Sequence, residues 1–367
     1  MLARWCFLFL ILGVGSAHAF KLHYVAEASL TAGFQYKKAI IGGLSGIVWQ
    51  GNNLYALSDD KGRMGEPRFF SFGLTIDKNK VELKPNAVHF LSHFPLEDGK
   101  KESLDPEGFA PLGGTNFIFS SEGSGNAKPR EMPRLAILSA TGIWKSDLPI
   151  PAKFLPEKVG QQKKGVQNNL AFESLTSFSE GKVLFAAIEA PLSQDESSSL
   201  ESSGRWIRIL KYDDKGKEDF RVSAEYAYRI DDLKNTDQGF EVFRGVSEIL
   251  AVSESKLIVM ERGVRLSQKN VLSQTVTLYL ADLSKASNVM SFDKLSEAKF
   301  LGAEKTKIID FETDLNKERP GKKVQNFEAL SWGPILPDGR KTLLVMSDNN
   351  FSKKDDTELI VFAVEGE

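Results

Sequence analysis

The chain has 367 residues, with 47 Lys and Arg against 49 Asp and Glu, for a formal net charge of −2. So balanced a surface gives no electrostatic footprint for nucleic acid or an anionic membrane. The single cysteine, Cys6, excludes thiolate metal sites, cysteine nucleophiles and thiol redox chemistry from the chain beyond it.

Residues 1–19 read as a secretory signal. Arg4 supplies a short positive n-region, Trp5–Val14 is almost wholly apolar, and Ala17-His18-Ala19 is a small-x-small cleavage site. The run is short for a membrane span and fits an h-region. Cleavage after Ala19 is expected, leaving a chain that starts at Phe20 and lives in the periplasm or outside the cell. No second long apolar run follows, so residues 20–367 are expected to form one soluble, monomeric domain with no membrane partner.

From residue 40 onward one two-strand unit recurs five times. Leu44-Ser45-Gly46-Ile47 leads to Leu54–Asp59; Pro106-Glu107-Gly108-Phe109 to Phe117–Glu122; Phe172-Glu173-Ser174-Leu175 to Leu184–Glu189. Ser247-Glu248-Ile249-Leu250 then leads to Leu257–Glu261, and Phe327-Glu328-Ala329-Leu330 to Leu343–Asp348. Short apolar runs rich in β-formers and separated by Gly, Asn and Pro-Asp-Gly turns read as hairpins. Two further strands follow most hairpins: 68–72 and 88–91, 134–138 and 150–155, 206–210 and 222–230, 275–280 and 306–311. After Asp348 only 358–363 remains, so 22–30 at the N-terminus is expected to supply the missing outer strand and close a ring.

The expected fold is therefore an all-β propeller of five four-stranded blades. A sixth blade is the alternative, for which some forty residues of unassigned chain would be needed. Unit spacings of about 60–80 residues exceed those of compact propeller repeats and imply long loops. Candidates are 153–165, 193–204 and 282–303, the last with room for a short helix.

Antiparallel pairing places the start of the first strand and the end of the second at one end of each blade. Repetition about an axis then gathers Asp59, Glu107, Glu122, Glu173, Glu189, Glu248, Glu261, Glu328 and Asp348 on one rim. Crowded carboxylates require protons, basic partners or metal ions. Arg68, Arg134 and Arg205 open third strands, and Arg262 and Arg265 follow Glu261. Acids left over from such pairing would suit Ca2+, a hard cation that takes several oxygen ligands. The competing expectation is that each acid caps a neighbouring blade's backbone. Only His23, His89 and His93 lie beyond the leader, all outside the repeats, so neither a Ser-His-Asp triad nor a histidine zinc site is expected.

The hairpins carry a resemblance. Gly43-Leu44-Ser45-Gly46 with Leu57-Ser58-Asp59, Asp105-Pro106-Glu107-Gly108, Phe172-Glu173-Ser174-Leu175, Val259-Met260-Glu261-Arg262, and Asn326-Phe327-Glu328-Ala329 with Met346-Ser347-Asp348-Asn349 resemble the phytase-like domain family. That family is also labelled "esterase-like activity of phytase", and the likeness runs from Ile41 to Phe362. It implies an exported propeller that hydrolyses phosphoric or other esters with Ca2+. The expected function is thus a Ca2+-dependent ester hydrolase on a small-molecule ester or phosphoester, with Arg68, Arg134 and Arg262 on substrate phosphate and the nine acids as metal ligands. The alternative is a non-catalytic propeller that binds a ligand or a protein at the same face.

Overall fold

The computed structural model describes residues 20–77, 80–95, 104–196 and 205–366. The expected leader, and positions 197–204 of the expected 193–204 loop, lie outside the described residues.

Five blades surround an axis. Blade 1 is built from Leu44–Gln50, Asn53–Ser58, Arg68–Asp77 and Lys80–Phe90, in order from the axis outward. Blade 2 is Pro106–Pro111, Phe117–Ser121, Arg134–Leu138 and Trp144–Asp147; blade 3 is Ser174–Phe178, Val183–Ala187, Arg205–Asp214 and Phe220–Ile230. Blade 4 is Gly239–Ala251, Lys256–Leu266, Leu272–Asp282 and Glu304–Asp310, with the two-residue strand Asn235–Thr236 added beside its inner strand. Blade 5 is Phe327–Trp332, Thr342–Ser347, Thr357–Glu365 and, outermost, the N-terminal strand Lys21–Leu30. Inner strands touch in chain order, and that of blade 5 meets that of blade 1.

Second strands such as Val183–Ala187 and Thr342–Ser347 are buried at every position, because neighbouring blades cover both faces. They therefore read as continuous apolar runs rather than as an alternation. Inner strands converge so tightly that a side chain is excluded at some positions. A Cβ on Gly108 would lie 2.8 Å from the Leu175 nitrogen of the next blade.

One expectation is corrected. The outer strand of blade 2 is Trp144–Asp147, not 150–155, which is a turn closed by the Phe154 amide on the Pro151 carbonyl at 2.9 Å. Pro149 and Pro151 cannot donate to a strand ladder, which explains the shift. The segment 282–303 does hold a short helix, a single 3-10 turn at Leu295–Glu297.

The N-terminal strand pairs antiparallel with Thr357–Glu365, from Lys21 opposite Glu365 to Leu30 opposite Thr357, with one bulge at Val25. It buries Ala26 and Leu30. Deleting residues 20–30 would uncover the edge of blade 5 and is expected to cost several kcal/mol, or on the order of 10 °C of melting temperature. A thermal melt unchanged by the deletion would refute its role in closure.

Candidate active site

The strand ladder defines which residues are equivalent between blades. In four blades the amide just past the second strand donates to the carbonyl just before the inner one. The pairs are Asp59 to Gly43 at 2.7 Å, Glu122 to Asp105 at 3.0 Å, Glu189 to Ala171 at 2.8 Å and Asp348 to Asn326 at 2.8 Å. In blade 4 this register pairs Gly245 with Arg262. The rim position that is acidic elsewhere is therefore occupied by Arg262.

A second ring lies one step further along the inner strands. The ladder skips a residue at Ser45 in blade 1, at Glu107-Gly108 in blade 2, at Ser247 in blade 4 and at Glu328 in blade 5. Glu173 holds the matching place just before the inner strand of blade 3. Bulges of this kind re-aim a side chain, here toward the axis. The three acids of this ring, Glu107, Glu173 and Glu328, line the cavity. The serines instead turn to the next blade, Ser45 Oγ donating to the Glu107 carbonyl at 3.0 Å and Ser247 Oγ to that of Phe327 at 3.5 Å.

The two rings border a cavity of about 570 Å³. Asp59, Glu107, Glu173, Glu189, Glu328 and Asp348 line it, as do Lys61, Arg63 and Arg262. Glu122 stands beside them. Its carboxylate accepts the Ala171 amide, and it offers an oxygen within 4.8 Å of oxygens from Asp105 and Glu107.

Glu248 and Glu261 do not belong to this rim, which corrects the sequence expectation. Each lies one position away from the true equivalents, Ser247 and Arg262, and a one-residue slip turns a strand side chain to the opposite face. Glu248 is buried among backbone amides and accepts that of Ile249 at 2.9 Å. Glu261 faces blade 3, where it takes the Tyr228 hydroxyl at 2.8 Å and the Asp231 amide at 3.1 Å, and it accepts Lys305 Nζ from the outer strand of its own blade at 2.7 Å.

The expected phosphate-binding arginines divide in the same way. Arg262 lies in the cavity wall, 2.9 Å from Glu189, 3.4 Å from Glu328 and 3.0 Å from Asn326 Oδ1. Arg68 is buried against Asp60 at 2.8 Å and the carbonyls of Glu66 and Ile40, both at 2.9 Å. Arg134 lies 3.7 Å from Asp147 and over the Phe94 ring. Neither lines the cavity, nor does Arg205. Third strands begin two strand spacings from the inner strand, about 10 Å out. Arg265 is likewise engaged, with Glu312 at 2.6 Å.

Burial raises most of these carboxyl groups. Asp59 is pushed up to about 7 by desolvation and then by Glu328 and Asp105. Glu122 reaches about 8, through desolvation and then Asp105. Glu107, Glu173 and Asp348 are raised well above the carboxylate range by desolvation first and by neighbouring acids second. Glu189 is raised by burial against the opposing pull of Arg262. The cavity thus mixes protonated and ionised carboxyl groups near neutral pH.

Four participants escaped the sequence reading: Lys61, Arg63, Asp105 and Asn326. Lys61 reaches across the mouth from blade 1 to Asp105 at 2.5 Å and Asn169 at 2.8 Å. Asp105 and Asn326 occupy one repeat position, two residues before a ring glutamate, and Asp-x-Glu beside Asn-x-Glu was the available signal. Glycine at the equivalent Gly43 follows from both conformation and space. Its φ is +59°, and a Cβ there would sit 2.0 Å from Asp59 Oδ1.

Asp59 Oδ1, Asp105 Oδ1 and Glu122 Oε2 are buried without a hydrogen-bond donor. Unpartnered carboxylate oxygens are costly to bury. A hard cation fits this donor set, since it would draw oxygens from Asp105, Glu107 and Glu122 at one point. The described histidines lie elsewhere; His89 stacks on Phe69 with ring centroids 4.6 Å apart, and His23 binds Glu365 at 2.8 Å.

The sequence matches the family model "Phytase-like: Esterase-like activity of phytase" over residues 39–351. No curated protein matches it. Among solved structures, the chain is similar to the catalytic domain of the Coprinopsis cinerea GH62 α-L-arabinofuranosidase, at 7% identity and a TM-score of 0.41, over 94% of this chain and 97% of that one. It is similar to the α-L-arabinofuranosidase PaAbf62A from Podospora anserina, in complex with cellotriose, at 8% identity and the same score and coverage.

Proposed function

Because the chain belongs to the phytase-like family, the one whose model is described by esterase-like activity of phytase, we propose that it is a hydrolase of phosphoric or other esters working at the acidic mouth. The observation that supports this most is the convergence of Asp105, Glu107 and Glu122 on one point, with two of their buried oxygens lacking a donor. These three residues would hold Ca2+. A cation held there would polarise an ester oxygen and offset charge that develops on it.

The remaining chemistry falls to the chain's own groups. Asp59 titrates at about 7 and lies outside that ligand set, so it can hold a proton for a leaving group or take one from water. Arg262 bridges Glu189 and Glu328 and fixes them in the wall. Arg63, at the cavity lip, is placed to attract an anionic group on the substrate. In the rival reading the mouth binds a ligand without chemistry. It is favoured by Lys61, whose ammonium already supplies a cation to Asp105.

A panel of phosphomonoesters and carboxyl esters, assayed with Ca2+ and with chelator, separates the two. Turnover with Ca2+ that chelator reduces at least tenfold is the expected result. Saturable binding with no turnover of any ester would leave only the rival. We further propose that the protein is exported as a monomer, with residues 1–19 removed. N-terminal sequencing of the exported form should begin at Phe20, and recovery of Met1 would refute cleavage.

A further inference from the structure

Blade 4 is taller than the others. Its inner strand begins at Gly239, six residues above the rim position Gly245, and its second strand continues past Arg262 to Leu266. Val242 is a bulge that adds no height, so the rise is set by Arg262 to Leu266; at about 3.3 Å per residue the hairpin stands roughly 13 Å above the acidic floor.

The two faces of this extension differ. One face buries Glu241, Arg244, Thr275 and Arg265. Arg244 Nε lies 3.0 Å from Glu241, Thr275 Oγ1 lies 2.7 Å from Glu241, and Arg265 reaches Glu312. That network anchors the back of the wall and holds it upright.

The opposite face is apolar. Arg262 and Gln274, which line the cavity, set the parity. Two residues on from Arg262 comes Val264, opposite Gln274; two further comes Leu266, opposite both Leu272 and Phe240. Strand alternation therefore puts Val264, Leu266, Leu272 and Phe240 on the face that continues the cavity wall. Phe240 is 50% exposed and Leu272 63% exposed. Large apolar side chains left in water on a rigid strand, with charged residues buried behind them, invert the usual arrangement and mark a binding surface. Met64, 46% exposed, adds an apolar side chain to the cavity from blade 1.

From this continuity we infer that the substrate is amphipathic: an ester whose acyl or aryl group lies along Phe240, Leu266 and Leu272 while its polar end enters the acidic mouth. The inference rests on the proposed hydrolase reading for the polar end only. The wall determines specificity, and it favours esters with an apolar group over small or uniformly charged ones.

The test measures binding, so that it does not depend on turnover. Calorimetry in Ca2+ compares octylphosphonate with methylphosphonate, and the uncharged pair octanamide with acetamide. The long member of each pair should bind at least about tenfold tighter, the gain from burying two or three methylenes. In the double variant Phe240→Ser with Leu272→Ser that ratio should fall below about threefold. Phe240→Leu with Leu272→Met should preserve it. Both positions are half exposed or more, and a melting temperature near that of the parent shows that the sheet is intact. Equal affinities within both pairs, no binding of either long ligand, or a ratio that survives the Ser variant would each overturn the inference. An intact ratio for octanamide without ester turnover would overturn the hydrolase reading and leave the wall standing.

Discussion

In chelator, raising the pH from 5 to 8.5 is expected to lower the melting temperature by on the order of 10 °C, and Ca2+ to restore most of it. The sign follows from the direction of the shifts. Asp59 titrates at about 7 and Glu122 at about 8 in the folded protein, both above their values in an unfolded chain. Between about pH 4 and pH 8 the folded state therefore binds more protons than the unfolded state, and stability falls as pH rises. The stabilising protons are fully present below the unfolded values and are lost as pH passes through 7 to 8. Glu107, Glu173 and Asp348 are shifted the same way and deepen the loss.

A cation bound at Asp105, Glu107 and Glu122 requires ionised carboxylates, so its affinity should increase over the same pH range, and binding to the folded state alone stabilises by mass action. The variant Glu107→Gln with Glu122→Gln imitates the protonated forms. At pH 8.5 in chelator it should melt higher than the parent, with a shallower pH slope and no response to Ca2+. Differential scanning calorimetry at four pH values decides the matter. A parent whose stability rises between pH 5 and 8.5, or a Gln variant that still responds fully to Ca2+, would remove the basis for a cation at this point.

The repeat was legible because the hairpins carry their signal in apolar runs and turn residues, which depend only on local pattern. Ring closure by Lys21–Leu30 was legible from a missing strand at the other end of the chain. Blade 4 resisted for a definite reason. Ser247-Glu248 and Glu261-Arg262 each present two polar neighbours, and the sequence pattern does not say which one the bulge turns inward. Matching acid to acid selected Glu248 and Glu261, whereas the backbone register selects Ser247 and Arg262. Arg68 and Arg134 failed differently. They follow an acid closely in the chain, yet the turn into the third strand carries them outward, where Arg68 meets Asp60 and Arg134 lies near Asp147. Lys61 depends on a contact from the blade 1 loop to Asn169, 108 residues further along the chain, which no local pattern encodes.

Arg262 is the residue whose loss should be felt most at alkaline pH. It is the single cation at a ring position that is acidic in the other four blades, and it joins Glu189 of blade 3 to Glu328 and Asn326 of blade 5. Its own ionisation is strengthened, against desolvation, by Glu328, Glu189, Glu173 and Asp348. Removing one member of a buried pair leaves the other charged and uncompensated, at a cost of about 3–5 kcal/mol. Arg262→Met keeps much of the side chain's length and apolar stem, so packing changes little and the measured loss reports charge. At pH 8 the variant should unfold on the order of 10 °C below the parent. At pH 5 the gap should narrow, because the orphaned acids then take up protons instead of remaining ionised. Arg262→Lys should recover only part of the difference, since an ammonium on a flexible stem cannot reproduce the planar fork that spans Glu189 and Asn326. Adding Glu189→Gln to Arg262→Met should be less than additive, as both act on one pair. A melting temperature for Arg262→Met equal to the parent's at pH 8, or a deficit that widens toward pH 5, would mean that the acids of this mouth are neutralised by something other than the arginine of blade 4.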